Sequence, residues 1–309
     1  MALASWSADE LLTMEFPELD WVVPEYIPEG FTVLGGRPKI GKSWLAMQIA
    51  QAVGMGGKVF GHDVKQGHVL YLALEDNPRR LARRMKAQHW EEGTHCQFYN
   101  EWTPLNEGGL EELAELFGKV QYRLCVIDTA SRALRLKDVN DNASVTKAYD
   151  AVQKFFESRK CSVLLLDHHN KRAGMEESDP IDAIIASTAK VAVPDTIVGV
   201  ARQRGKRDVR IRIVGRDAED VDSEIQFDSL TMSWQMLDTK YIKPGSVQNK
   251  IFDYVKAANG YVPLSMIAEF TQTHKGQALK ELQELVVKGL VEETKMSGQN
   301  FYALKSYQS

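Results

Sequence analysis

The chain has 309 residues, of which 44% are hydrophobic and 26% charged, and its formal net charge is −4 at pH 7. This length and apolar content suffice for one large hydrophobic core and a small second domain. No apolar run approaches the roughly 20 residues of a membrane-spanning helix, and the N-terminus lacks the basic segment of a secretory signal. The cysteines form no Cys-x-x-Cys pair, so they are expected to be thiols of a reducing compartment. We therefore expect a cytoplasmic protein with no membrane partner.

A glycine-rich turn between a predicted strand and a predicted helix is the strongest motif. Residues 36–43 read Gly-x-x-x-x-Gly-Lys-Ser, after a β-prone apolar run at 31–34 and before an apolar-periodic segment that ends at Gly54. The backbone N–H groups of such a turn can face a triphosphate, and the helix N-terminus adds its positive end. The alternative is a surface turn that matches by chance. We expect ATP and Mg²⁺ as ligands, with Lys42 on the β- and γ-phosphates and Ser43 on the metal.

The full set of residues expected to bind the nucleotide is Gly36, Arg37, Pro38, Lys39, Ile40, Gly41, Lys42, Ser43 and Trp44.

Four further apolar runs alternate with predicted helices, which is typical of a parallel sheet covered on both faces. These runs are residues 68–75, 123–130, 162–169 and 196–202. Past residue 205, apolar and polar residues alternate, which predicts antiparallel strands that finish one edge of the sheet. Val209, Ile211 and Ile213 are expected to face the core. The predicted fold class is therefore α/β, with a mainly parallel sheet.

A linker around Pro244 divides the chain into a predicted core, residues 1–240, and a smaller part, residues 241–309. The smaller part predicts three helices and then a hairpin that turns at Gly298, which is the order of a winged helix-turn-helix. After the linker, residues 245–309 carry seven lysines against six acidic residues, which is weak support for DNA binding. Duplex DNA, a protein partner and simple dimerisation all stay open for residues 245–309.

Two acidic residues follow predicted strands of the core. An NTPase needs one carboxylate for the Mg²⁺ shell and one to orient the attacking water. Asp128 ends the apolar run 124–128 and fits the metal-side acid, although an aspartate after a strand can also cap a helix. Glu75 ends the strand after the phosphate-loop helix, where one lineage of NTPases keeps its catalytic base. Asp76 is the next candidate for that base.

Five segments, in this order, resemble the RepA-type ATPases of the AAA_25 group, in the RecA/DnaB superfamily of hexameric helicases. They are GGRPKIGKSWLA, YLALEDNPRRLARRM, CVIDTASR, LLLDHHNK and IVGRDAED, and the resemblance covers about residues 1–238. It implies a RecA-like core that hydrolyses ATP with Mg²⁺ between the subunits of a homo-hexamer or other ring and acts on single-stranded DNA. By position, it assigns Glu75 as the catalytic base and Asp128 as the Walker B acid.

The resemblance also implies two residues that sense or complete the site. His168 stands where the superfamily places a polar γ-phosphate sensor, with His169 as the fallback; either could instead be a hydrogen-bonded structural histidine. Arg216 resembles the arginine finger that hexameric members insert into a neighbouring subunit. A surface arginine paired with Asp217 or Glu219 is the alternative. Related helicases carry a lysine two positions before the finger, where this chain has Val214.

The resemblance also implies two loops that line a central channel for single-stranded DNA, and by position the candidates are the segments that follow Asp128 and His169. The first, residues 131–144, carries Arg132, Arg135 and Lys137, and the second, residues 171–188, carries Lys171 and Arg172. The second loop lacks the Arg-Gly-Ser stretch that is usual in the family.

Three functions follow from these features. The first is an ATP-driven motor on single-stranded DNA. The alternative is an oligomeric, nucleotide-switched regulator or loader that binds DNA or a protein through its C-terminal part without unwinding. A recombinase-like filament is the third, and it is disfavoured because no separate polymerisation module precedes the phosphate loop.

Overall fold

The computed structural model describes residues 5–136, 141–168, 189–202, 209–237, 247–258, 260–287, 290–296 and 298–305. The strands are β1 Trp21–Val23, β2 Ile27–Pro28, β3 Phe31–Gly36, β4 Lys58–Val59, β5 His62–Asp63, β6 His68–Ala73, β7 Cys96–Tyr99, β8 Tyr122–Asp128, β9 Ser162–His168, β10 Thr196–Arg202, β11 Val209–Gly215, β12 Val221–Asp228, β13 Ser233–Met236, β14 Val262–Pro263, β15 Val291–Met296 and β16 Gln299–Leu304. The helices are α1 Ala8–Thr13, α2 Lys42–Met55, α3 Pro78–Ala87, α4 Gly109–Phe117, α5 Ala130–Leu134, α6 Asn142–Glu157, α7 Ala189–Ala192, α8 Val247–Ala258, α9 Leu264–Phe270 and α10 Lys275–Val287.

The central sheet has the order β13-β12-β11-β10-β3-β9-β8-β6-β7. The six strands from β10 to β7 are parallel, and β11, β12 and β13 continue from β10 as antiparallel neighbours. Val209, Ile211 and Ile213 are buried, as their alternation with arginine predicts. The expected α/β class, with a parallel sheet finished by antiparallel strands, is therefore confirmed.

Helices cover both faces of the sheet, because its central strands are apolar on both sides. In β6, Val69 and Tyr71 belong to the hydrophobic cluster that includes α2. Leu70 and Leu72, which point the other way, belong to the cluster that includes α6. The core is thus two apolar layers separated by the sheet.

The register of the parallel strands brings the ends of four of them together. In the strand pairing Gly36 is opposite His168, and Ala73 is opposite Asp128. The helix α2 begins at Lys42, directly after the turn that follows β3, and ends at Gly56, whose φ of 76° suits the left-handed cap. The phosphate-loop motif and the predicted acidic residues consequently share one edge of the sheet.

The C-terminal part contains the three predicted helices and the predicted hairpin, as α8 to α10 and β15 with β16. The short strand β14 pairs with β16, so the sheet has three strands in the order β14-β16-β15. Ile251, Ile267, Leu282 and Tyr302 are fully buried in a cluster of their own. The winged helix-turn-helix assignment and the domain boundary at residue 240 stay predictions.

The segment before the phosphate loop is attached to the core through Asp20. Arg123, at the start of β8, donates to both carboxylate oxygens of Asp20, at 2.6 and 3.1 Å, and to the carbonyl of Trp21 at 2.7 Å. Among the residues that the structure describes, no helix is long and apolar enough to cross a membrane.

Candidate active site

The phosphate loop is held in a conformation that few residues other than glycine adopt. Gly41 has a φ of 113° and Lys39 a φ of 65°. A Cβ atom on Gly36 would lie 2.7 Å from the Cγ2 atom of Val200 and 2.9 Å from its carbonyl oxygen, so β10 packs directly against the start of the loop. Both motif glycines are therefore required by geometry.

Lys42 lies in the centre of the site, with 5% of its surface exposed. Its Nζ atom donates to the carbonyl oxygens of Gly36 at 2.7 Å and Arg37 at 3.2 Å. Burial lowers the pKa of Lys42 to about 8, and the nearby Asp128, Asp167 and Glu75 partly oppose this change. At pH 7 the side chain is still largely an ammonium ion.

Asp128 lies at the end of β8 and is buried beside Ser43. The Asp128 carboxylate accepts a hydrogen bond from the Tyr71 hydroxyl at 3.3 Å. Burial raises the pKa of Asp128 to about 6, and the nearby Ser43 hydroxyl acts in the opposite direction. The two residues predicted to bind Mg²⁺ are thus neighbours, and their hydroxyl and carboxylate oxygens are ligands that suit this ion.

Glu75 follows β6 and is 40% exposed at its side chain. Its Oε1 atom accepts a hydrogen bond of 2.9 Å from the hydroxyl of Thr129, the residue after Asp128. Asp76 differs, because its side chain is only 8% exposed and forms ion pairs with Arg80 and Arg84 of α3. Glu75 is therefore the more accessible carboxylate of the two candidates.

His168, at the end of β9, lies between Lys42 and Glu75. Its Nδ1 atom is 3.2 Å from Lys42 Nζ, and its Nε2 atom is 3.8 Å from Glu75 Oε1. Burial, followed by the Lys42 charge, lowers the pKa of His168 below its usual value. A neutral ring whose Nδ1 accepts from the ammonium carries its proton on Nε2. The fallback candidate His169 lies outside the described residues.

Asp167 and Lys190 support this histidine and were missed by the sequence interpretation. Asp167 accepts from the backbone N–H of His168 at 2.8 Å and from the Tyr149 hydroxyl at 3.2 Å. Lys190 of α7 forms an ion pair of 2.6 Å with it. An aspartate at the end of an apolar strand was a usable signal for Asp167, but no local pattern marks Lys190.

Arg216 lies at the amino-terminal ends of the parallel strands, whereas the phosphate loop lies at their carboxyl-terminal ends. It follows β11, which pairs Gly215 with Thr196 at the start of β10. Its guanidinium donates to Asp195 Oδ1 at 3.2 Å and to the Ala192 carbonyl at 2.8 Å. Arg216 can reach Asp195 because β11 runs antiparallel to β10, so the end of β11 lies beside the start of β10. The structure does not bring Arg216 to the other site residues of its own chain.

The first predicted channel loop is described in part. Arg132 and Arg135 are exposed, and with Tyr99 and Trp102 they line a pocket of about 740 Å³ beyond the ends of β7 and β8. The remaining basic candidates, Lys137, Lys171 and Arg172, lie outside the described residues.

Comparison with known proteins identifies the family. Residues 1–174 match AAA_25, which is described as an AAA domain. The chain belongs to the AAA_25 family. It is also similar to a solved structure entitled "Crystal structure of the RadB recombinase", with 14% sequence identity, a TM-score of 0.47 and coverage of 68% of this chain and 91% of that one. The site residues of this AAA_25 protein fit ATP and Mg²⁺: Lys42 and the phosphate loop suit the phosphates, and Ser43 with Asp128 suits the metal.

The position of His168 predicts opposite effects of its two charged neighbours on its pKa. In this AAA_25 protein, Lys42→Met should raise the pKa of His168, because the variant removes a cation next to Nδ1. Glu75→Gln should lower the same pKa further, because it removes the anion near Nε2. NMR titration of the imidazole resonances measures both changes, with a His168→Asn spectrum for assignment. Shifts in the same direction in both variants would contradict the geometry.

Proposed function

We propose that the protein is an ATP-driven motor on single-stranded DNA, a RepA/DnaB-like helicase that hydrolyses ATP at the subunit interfaces of a ring, such as a homo-hexamer. The observation that carries this proposal is the separation of Arg216 from the phosphate loop of its own chain. The six residues of β3, from Phe31 to Gly36, span roughly 17 Å at about 3.3 Å per residue. This distance exceeds the length of an arginine side chain, so Arg216 does not reach the phosphate loop of its own subunit, and in the proposal it completes the site of a neighbouring subunit.

Within one subunit, the proposal gives each side chain of the site a task. Lys42 and the loop N–H groups hold the β- and γ-phosphates, and Ser43 with Asp128 holds Mg²⁺. Held there, Mg²⁺ would neutralise charge that develops on the phosphate oxygens. Glu75 takes the proton of the attacking water, since its carboxylate is accessible and is oriented by Thr129. His168 uses its Nε2–H to detect the γ-phosphate.

Arg216 would act on the neighbouring subunit's nucleotide. Its side chain is 57% exposed, and Asp195 and the Ala192 carbonyl hold it at the amino edge of the parallel strands. A cation supplied in trans stabilises the transferred phosphoryl group and contributes on the order of 10³–10⁵ in rate where it has been measured. Hydrolysis would then depend on ring assembly.

Arg132 and Arg135 support single-stranded DNA as the partner. No ion pair within the described ranges engages either arginine, although the chain is acidic overall. Phosphate groups of a nucleic acid would neutralise these charges. Both residues follow Asp128 closely, so a bound strand would lie next to the metal-side acid.

The alternative function is a nucleotide-switched regulator or loader, and one observation favours a protein as its partner. The helix α10, which would be the recognition helix of a winged helix-turn-helix, carries Glu281 and Glu284. Both carboxylates lie close to the Gln248 amide, at 3.2 and 2.9 Å. Acidic side chains on this helix oppose DNA phosphates, so this form of the alternative uses residues 245–309 for protein contact.

Glu75→Gln should bind ATP with the affinity of the unmodified protein and lose most turnover. The amide can still hold a water molecule, but it cannot accept its proton. Calorimetry with a non-hydrolysable ATP analogue and a phosphate-release assay measure the two effects. Asp76→Asn is the matched control, and it should keep turnover if its ion pairs with α3 are only structural. Turnover lost in Asp76→Asn and kept in Glu75→Gln would transfer the base to Asp76.

Single-stranded DNA should stimulate the ATPase of the full chain more than duplex DNA does. Replacing Arg132 and Arg135 with alanine should remove this stimulation and reduce the slope of log affinity against log salt by about 1.4, for two phosphate contacts at about 0.7 each. Lys275→Ala with Lys280→Ala, on α10, removes the same charge and should change neither value. If the lysine pair loses the DNA stimulation and the arginine pair keeps it, the regulator function is favoured. A complete absence of DNA stimulation in the unmodified protein favours it as well.

Arg216→Ala should retain ATP binding and lose most hydrolysis. Mixing it with inactive Lys42→Ala subunits should restore part of the activity, because some interfaces then combine an intact phosphate loop with an intact arginine from the next chain. Hydrolysis measured across mixing ratios, with light scattering to show that mixed assemblies form, tests the proposal. An absence of recovery at every ratio in mixed assemblies would refute a role of Arg216 in trans.

A further inference from the structure

The central sheet has an antiparallel extension, β11 to β13, and its last strand contacts the phosphate loop through a tryptophan. Trp234 lies in β13, is 3% exposed, and places its indole ring against Gly41. A Cβ atom on Gly41 would lie 2.6 Å from the indole Cζ2 atom and 3.3 Å from Nε1. The ring therefore occupies the space in which any side chain at position 41 would have to start.

A hydrogen bond connects the same two residues. The indole Nε1–H donates to the Gly41 carbonyl at 3.1 Å, and this carbonyl also accepts the first helical hydrogen bond of α2, from Leu45, at 3.1 Å. Gly41 has a φ of 113°, so its carbonyl direction is set by a backbone conformation that few other residues adopt. The indole holds that carbonyl at the point where the loop becomes the helix.

A second pair of hydrogen bonds prevents β13 from sliding along α2. The Gln48 side chain donates to the Trp234 carbonyl at 2.9 Å and accepts from the Trp234 N–H at 2.8 Å. Phe227 packs edge to face on the indole, with the ring centroids 5.1 Å apart. Trp234 is thus fixed on its backbone and on its ring, and the phosphate loop is supported from outside at Gly41.

We propose that Trp234 is a positioning residue for nucleotide binding, which holds the Gly41 peptide so that the loop N–H groups and Lys42 are pre-arranged for the phosphates. This inference rests on the proposed ATP binding of the loop. Pre-arranging a site reduces the free-energy cost of ordering it when the ligand binds. Loss of the indole hydrogen bond should therefore weaken binding of the nucleotide, with little effect on the chemical step once the nucleotide is bound.

The test is Trp234→Phe, which keeps an aromatic ring and removes the N–H donor. We expect its dissociation constant for a non-hydrolysable Mg²⁺–ATP analogue to rise roughly 3- to 10-fold, the usual scale of one hydrogen bond. KM should rise by a similar factor, while kcat should change by less than about 2-fold, because the indole acts on binding and not on the chemical step. The matched control is Trp102→Phe, because Trp102 donates its indole N–H to the Gly109 carbonyl at 3.0 Å, outside the loop.

Chemical denaturation of both variants separates positioning from general stability. If Trp234→Phe loses stability like Trp102→Phe but alone loses nucleotide affinity, the inference holds. If Trp234→Phe binds the analogue as tightly as the unmodified protein does, the inference is wrong. If the unmodified protein does not bind the analogue, the proposed function fails instead, so the two failures are distinguishable.

Fluorine NMR of protein labelled with 5-fluorotryptophan gives a readout that a purely structural role would not change. The chain has six tryptophans, and the resonance missing in Trp234→Phe identifies the one of interest. Adding the Mg²⁺–ATP analogue should shift this resonance, because the charged phosphates would bind to the loop whose Gly41 carbonyl the indole N–H contacts. The Trp102 resonance should stay in place. An unshifted Trp234 resonance at saturation would overturn the inference.

Discussion

The site depends on one buried ammonium group. The Lys42 side chain leaves water to reach the ends of the central strands, and a buried charge is costly unless hydrogen bonds and opposite charges surround it. Two carbonyls of its own loop satisfy two of its donors. The negative field comes from Asp128, Asp167 and Glu75, all of which raise its pKa against the effect of burial. The ammonium is tolerated only because these groups are already in place.

This requirement explains why the order of the strands matters more than any single motif. Three of the neighbouring strands end beside the phosphate loop, and each delivers a different group: β8 the buried carboxylate of Asp128, β6 the more exposed carboxylate of Glu75, and β9 the imidazole of His168. In parallel strands these ends necessarily meet at one edge. A change in strand order would separate Asp128 or His168 from Lys42 without altering one residue of the motifs.

The sequence predicted the parts of the site that are encoded locally. Glycines at 36 and 41, an acid after an apolar run and the period-two pattern of 209–213 all reflect nearby backbone geometry, and the structure has the corresponding turn, strand end and antiparallel strand. Pairings between distant residues were not predictable in this way. Lys190 reaches Asp167, and Arg216 reaches Asp195 instead of its sequence neighbours, because strand direction and register decide those contacts. No single stretch of the chain contains that information.

The antiparallel strands β11 to β13 carry no nucleotide-binding motif. Under the two proposals they nevertheless contribute one residue to ATP hydrolysis and one to nucleotide binding. The first strand, β11, is followed by Arg216, which lies at the amino-terminal end of the parallel strands, away from the phosphate loop of its own chain. The last strand, β13, comes back across α2 and places Trp234 on Gly41. The strand β12 pairs with β11 on one side and with β13 on the other, so a ladder of backbone hydrogen bonds fixes the positions of both strands relative to each other. The residue proposed to act on a neighbour's nucleotide and the residue proposed to position the subunit's own loop thus belong to one antiparallel sheet extension, separated by the single strand β12.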